Sequence, residues 1–320
     1  MKPKSLLPTP ENLTLDEIQA RFATDKKARQ YLEEIRWPRG VVCPHCTNDD
    51  QKKIWEIKAN AKASIREGLR QCGVCKKQFT CTVGTIFEDS HIPLRKWLVA
   101  WYLLCSSKKG ISSLQIQRML GLGSYRTALF MMHRIRYALK RPEFNEEIMG
   151  PVEVDETYIG GKAKPHSQQW KNKVPVVALV KRGGEVRSQV MERVTGDNLK
   201  AFVRDNVVVC SDVHTDENWG YFGLAPKYTH KVVKHSQKEY VRGDVHTNTV
   251  EGYFSLLKRG IIGTFHQVSK KHLPLYLAEF DHRYNHRDVT DGERTVAAIK
   301  CAEGKRLTLK PLKNGKRAPK

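Results

Sequence analysis

The chain has 320 residues, 40% of them apolar, and carries 56 lysines and arginines against 34 aspartates and glutamates, a formal net charge of +22. That length accommodates two or three domains with real cores. A positive excess of this size opposes compaction by self-repulsion and points to a polyanionic partner. The excess is not confined to a tail: residues 1–150 hold 26 basic and 15 acidic side chains, and residues 151–320 hold 30 and 19, so each half contributes +11. The longest strongly apolar run, Trp97 to Cys105, is nine residues, about half of a membrane span. The opening MKPKSLLPTP lacks the sustained apolar stretch of a signal peptide. The expectation is a soluble, cytoplasmic chain that faces nucleic acid and has no membrane partner.

Residues 1–38 read as an N-terminal helical segment. Helical spacing over residues 16–36 runs into Trp37-Pro38, where a helix must stop. Residues 39–82 hold a cysteine pattern with metal chemistry. Five of the eight cysteines fall between 43 and 81. Cys43 and Cys46 form CPHC, Cys72 and Cys75 form CGVC, and 25 residues separate the pairs. Each CxxC places two thiolates on one tight knuckle, and two knuckles supply an all-thiolate tetrahedral site for one structural Zn²⁺, as in a zinc ribbon. Such a small unit has almost no core, so the metal contributes much of its folding energy. A redox CxxC is the alternative, weakened by the presence of two pairs. His45 reads as a surface residue of the first knuckle and Cys81 as a ribbon strand residue.

Residues 90–142 read as a helix-turn-helix-like domain. LRKWLVAWYLLC is a short apolar helix, and ISSLQIQRMLGLGSYRTALFMMHRIRYALK gives helix, turn at Gly121 to Ser124, and helix. The second helix sets Arg126, His133, Arg134 and Arg136 around an apolar stripe of Ala128, Leu129, Met132 and Ile135. Arg126 and Arg134 are the candidate DNA contacts. A helical bundle that only packs or dimerises is the alternative.

From residue 150 the period changes from helical to alternating. PVEVDETYIGG, VPVVALVKR and EVRSQVMERV are strand candidates, the last two joined by the turn Arg182-Gly183-Gly184-Glu185. GDNLKAFVRDN is helical, with Asp197 available as its cap. VVVCSD reads as a short buried strand, another strand falls near 230–235, and a helix runs from about Thr249 to Lys258. A meander of three strands followed by alternating elements is the plan of a ribonuclease-H-like domain, here residues 150–290. The fold class is therefore α/β: a mixed-sheet catalytic domain behind a zinc ribbon and a small helical domain. Residues 291–320 remain as a basic C-terminal tail.

In VEVDE, Val152 and Val154 face one side of the strand and Glu153 and Asp155 the other. An acid on such a strand is costly unless it is exposed or neutralised by metal. Asp212 ends VVVCSD, and Glu251 lies on the later helix. These acids are separated by 57 and 39 residues, so only a fold that gathers strand ends and a helix can unite them. Gathered, they would hold two Mg²⁺ or Mn²⁺ ions on oxygen ligands. Lys258, two helical turns beyond Glu251, falls on nearly the same face and is placed to steer a phosphate. Asn248 is the rival for the third ligand position. Asp216 and His214 compete with Asp212 less strongly, since neither ends the apolar run.

The runs VEVDETYIGGK at 152–162, SDVHTDENWGY at 211–221 and HTNTVEGYFSLLKRG from 246 together resemble bacterial insertion-sequence transposases of the DDE class. The closest type carries a zinc ribbon before a retroviral-integrase-like domain, and the resemblance spans about residues 20 to 290. It implies an enzyme of the nucleoid that binds the terminal inverted repeats of its own element, cuts there, and joins the freed 3′ ends to target DNA. The family's acids fall on Asp155, Asp212 and Glu251 and its trailing basic residue on Lys258. Asparagine replaces the third acid in some members, which keeps Asn248 in view. Double-stranded DNA is the implied partner, and two ends handled together imply a dimer or larger assembly. Lys162, Lys164, Lys258, Arg259, Lys270 and Lys271 are the expected phosphate contacts. Two rivals stand beside this reading: a non-enzymatic regulator built on the ribbon and helix-turn-helix, and a metal-dependent nuclease that cuts but no longer inserts.

Overall fold

A computed structural model describes residues 13–63, 65–140, 146–160, 173–225 and 227–308. Lys162, Lys164 and the end of the basic tail lie outside the described residues. The chain divides into two units: one runs to Leu139 and resumes at Val289, and the other spans Lys140–Asp288.

In the first unit, α1 (Leu15–Arg21) begins at a capping box in which Thr14 and Glu17 satisfy each other's backbone N–H groups. α2 (Asp25–Arg36) is capped by Thr24 and ends at Trp37, before Pro38. The ribbon follows as three short antiparallel strands, β1 (Ile54–Glu56), β2 (Arg70–Cys72) and β3 (Gln78–Phe79), in spatial order 1-2-3. Arg70 ties it to α2 through Glu33 at 2.8 Å. α3 (Leu94–Ser106) is apolar nearly all round and buries Trp97, Leu98, Trp101 and Leu104, so it is the spine of this unit. α4 (Ser113–Leu120) is capped by Ser112 and stops at Gly121, whose φ of 56° is the left-handed turn a helix C-terminus demands. α5 (Tyr125–Leu139) follows.

Residues 291–303 depart from the expected tail. They form α9 (Asp291–Lys300) and a following turn that pack onto α2 and α3. Arg294 donates to the Cys105 carbonyl at 3.0 Å, and Arg36 pairs with Glu303 at 2.5 Å. Ala298, Ile299 and Ala302 are the buried stripe that holds the segment down. The charged residues around that stripe disguised it in the sequence.

The second unit is a five-stranded mixed sheet. β4 (Val152–Ile159), β5 (Val174–Lys181) and β6 (Val186–Val190) form an antiparallel meander. α6 (Gly196–Arg204) then crosses over to β7 (Asp212–Thr215), and β8 (Thr229–Val232) lies beside β7. β7 is parallel to both β4 and β8, giving the order β6-β5-β4-β7-β8. Thr195, not Asp197, caps α6. Among the described residues between β7 and β8 stands a 3-10 turn, Trp219–Tyr221. A two-stranded hairpin, β9 (Val241–Arg242) and β10 (Val245–His246), leads into α7 (Asn248–Gly260). After a π-helical turn at Ile261–Phe265 comes α8 (Leu273–Asn285). One sheet face packs Val152, Val154, Val177 and Leu179 against α6. The other packs Val176, Ala178 and Val180 against α7 and α8. Among the described residues, no helix is long and apolar enough to cross a membrane.

Candidate active site and zinc centre

β4 and β7 are neighbours in parallel register, with Glu153 opposite His214. Carried two residues further, that register sets Asp216 level with Asp155. Carboxylate oxygens of Asp155, Glu156 and Asp216 lie within 4.8 Å of one another. Burial, with Asp216 and Glu156 close by, pushes the Asp155 carboxyl up to about 7. Burial likewise raises Glu156 and Asp216. Three hard oxygen donors whose negative charges destabilise one another form the donor set that a divalent cation relieves, so the residues present fit such an ion.

Asp212 does not belong to this cluster. It begins β7 instead of ending a strand, and it pairs with Lys231 at 3.4 Å. At about 3.3 Å of rise per residue it lies roughly 13 Å along the strand from Asp216. The expected strand VVVCSD is mostly turn: Val208 to Ser211 lie outside the sheet, and Cys210 has a φ of +68°. The acid that stands level with Asp155 is therefore Asp216, not Asp212.

Asp155 and Glu156 share a cleft of about 730 Å³ with Glu251, Phe254, Ser255, Lys258 and Arg259. Glu251 comes from the first turn of α7, and Lys258 and Arg259 lie together about two turns further on. Asn248, at the first position of that helix, does not line the cleft. Glu251 accepts from Thr247 at 2.9 Å and stands 3.6 Å from His235 Nε2. Lys270 and Lys271 are exposed ahead of α8.

Two features were missed in the sequence. Glu156 accepts from Tyr221 Oη at 2.6 Å and from the Asn218 amide, so the loop after Asp216 is laced to β4. Glu153, fully buried, accepts from the backbone N–H groups of Thr249 and Val250 at 2.7 and 3.1 Å and from Thr249 Oγ1 at 2.8 Å. Arg182 donates to it at 2.7 Å. A carboxylate on the sheet thus serves as the N-terminal cap of α7, where the helix dipole favours negative charge, and it sets the helix that carries Glu251 and Lys258. The sequence signal was an acid two residues before Asp155 on the same strand face; its partner lies 96 residues away.

In the first unit, Cys43 Sγ and Cys75 Sγ are 3.7 Å apart, and Cys46 Sγ and Cys72 Sγ 3.6 Å. Tetrahedral Zn–S bonds of about 2.3 Å require sulfur separations near 3.8 Å, so the four cysteines fit zinc and are not disulfides. Thr47 and Lys76, each following the second cysteine of a knuckle, both take positive φ, 58° and 60°, which turns the chain back under the sulfurs. His45 bonds the Gln78 carbonyl, and Cys81 is a core thiol that burial pushes up to about 12.

On α5, Arg126 is exposed, but Arg134 is a correction. It is 6% exposed, lies over the Trp97 ring at 5.3 Å, and donates to the Glu88 carbonyl at 2.7 Å. A guanidinium fixed inside its own unit does not contact DNA.

A mixed sheet of this order, with acids level on adjacent parallel strands and a cysteine-rich ribbon ahead of it, defines a DDE enzyme of ribonuclease-H-like architecture. A family profile described as "ISXO2-like transposase domain" matches residues 147–285, and one described as "Transposase zinc-ribbon domain" matches residues 23–78. The chain is 31% identical over 287 residues to "Uncharacterized protein in transposable element ISH50" of Halobacterium salinarum, covering 82% of this chain and 91% of that protein. The chain belongs to the IS1595 family of DDE transposases.

Proposed function

We propose that this chain binds the terminal inverted repeats of its mobile element, hydrolyses the phosphodiester at each end, and joins the freed 3′-hydroxyls to target DNA. The observation that carries the reading is Asp155, clustered with Asp216 and sharing a cleft with Glu251, Lys258 and Arg259. Asp155, Asp216 and Glu251 would hold two Mg²⁺ or Mn²⁺ ions, which supply electrostatic stabilisation of charge developing on the transferring phosphoryl group. Lys258 and Arg259 seat the backbone phosphates on either side, giving affinity without sequence choice. Asn218 and Tyr221 hold Glu156, and through it the acid cluster, in one arrangement. One phosphodiester replaces another in the joining step, so no energy carrier is needed. The four-cysteine ribbon holds one structural zinc. Together with α4 and α5 it reads the terminal repeats, Arg126 being an exposed basic residue of α5. Paired ends call for a dimer or larger assembly.

The test supplies pre-cleaved element ends and a supercoiled target with Mg²⁺ or Mn²⁺. Joined product from the wild type, and none from Asp155→Ala at unchanged DNA affinity, is the expected result. Cutting without joining would indicate the nuclease, and an Asp155→Ala variant with undiminished biological function would indicate the regulator.

A further inference from the structure

Trp219 and Phe222 face outward from the turn that follows Asp216. Trp219 is 81% exposed and Phe222 62%. Their rings stack with centroids 4.8 Å apart and planes 19° from parallel. A pair of large rings left in water marks a surface that something else covers.

The turn beneath the rings is fixed. Asn218 N–H donates to Asp216 Oδ1 at 3.1 Å, and Asn218 Oδ1 accepts from Gly220 N–H at 2.8 Å. Tyr221, between the two exposed rings in sequence, is buried and bonds Glu156. Gly220 presses on α6 so closely that a Cβ there would meet Leu199 Cδ1 at 2.6 Å. The rings are thus held on the same rigid turn that supplies Asp216. Trp219 is three positions beyond Asp216, a span of at most about 11 Å between Cα atoms. A stacked strand advances about 3.4 Å per nucleotide, so the platform lies within a few nucleotides of a phosphate at the acid cluster.

We propose that Trp219 and Phe222 form a stacking platform for an unpaired nucleobase of the DNA strand beside the phosphate being transferred. The proposal rests on the catalytic reading above and deepens it. A flat aromatic face suits a base, and stacking tolerates any sequence. Bases inside a duplex are already stacked, so the platform selects an end whose terminal pair is open. The chain's +22 charge, with Lys258 and Arg259 on α7 beside the acids, favours a nucleic-acid occupant over an apolar protein face.

The experiment uses the full chain, Ca²⁺, and two probes of the same sequence from the element's end: a blunt duplex, and a duplex with a short unpaired overhang carrying 2-aminopurine. The wild type should quench the 2-aminopurine. Trp219→Ala/Phe222→Ala should lose the quenching and bind the overhang probe about tenfold more weakly or worse, with blunt-duplex affinity unchanged. Trp219→Phe should keep the quenching. Unchanged quenching in the double variant, or an equal loss of affinity for both probes, overturns the platform. So does a fall in oligomeric state with the probe preference intact, which would make the rings a contact between copies. A parallel strand-transfer assay separates the layers. No metal-dependent product from the wild type overturns the catalytic reading beneath the proposal; normal product with unchanged quenching overturns the platform alone.

Discussion

Asp216 stands level with Asp155 across the parallel pair β4 and β7, while Asp212 occupies the far end of β7 beside Lys231. Substituting the two aspartates therefore separates catalysis from surface charge. Asp216→Asn should lower strand transfer by at least about a hundredfold, as expected when a transition-state charge loses its stabilisation. Asp212→Asn should stay near the wild-type rate, because a half-exposed ion pair is worth only about 0–1 kcal/mol. Single-turnover assays on both variants decide it, and the reverse order of damage would return the second acid to Asp212.

Glu153 carries a different expectation. Removing its carboxylate leaves Arg182 without its charge partner and the first turn of α7 without an acceptor. Glu153→Ala should cost about 3–5 kcal/mol in urea unfolding of the catalytic unit, the range for breaking a buried pair. A loss below about 1 kcal/mol, the scale of an exposed pair, would show that the network is not holding the helix.

The acid cluster gives the metal-free chain a pH dependence of known sign. The folded-state value of Asp155 is raised from 3.8 to about 7, and those of Glu156 and Asp216 are raised as well. Between the unfolded and folded values the native chain keeps protons that the unfolded chain has released. Stability from these groups is therefore greatest when they are protonated and falls as pH rises from 3.8 through about 7. In chelator, Asp155→Asn should show a shallower fall in Tm across that window than the wild type, and Mn²⁺ should flatten the wild-type curve. Parallel curves for the two proteins in chelator would contradict the argument.

For the ribbon, the sulfur spacing predicts about one zinc per chain by elemental analysis. Cys72→Ser should lose the metal and open residues 39–82 to protease, since zinc supplies the folding energy that three strands of two or three residues lack. Full protection of that segment without zinc would argue for a core that stands alone.

What could be read from the sequence followed from local chemistry. The paired knuckles announce themselves because four thiols at that spacing have few other uses. β4 was legible because alternation in VEVDE separates a core face from an acidic face. β7 was not, because two of its three buried residues are polar: His214 is paired to Arg182 and Thr215 to His230, both through tertiary contacts. The apolar run beside it drew the strand, and with it the choice of Asp212, four residues too early. Arg134 misled for a related reason: a charge on a helix looks solvent-facing until Trp97 and the Glu88 carbonyl are seen around it. Glu153 depends on contacts across 96 residues, which no local pattern encodes.

Because the first unit resumes at Val289, the catalytic unit is an insertion within it, joined by two strands of chain instead of one. A ribosome finishes the whole catalytic sheet before it makes α9, the helix that closes over α3. The unit that holds the ribbon is thus the last part of the molecule to be completed. A message cut short after residue 288 would encode every candidate catalytic acid on a chain whose N-terminal core is left uncovered.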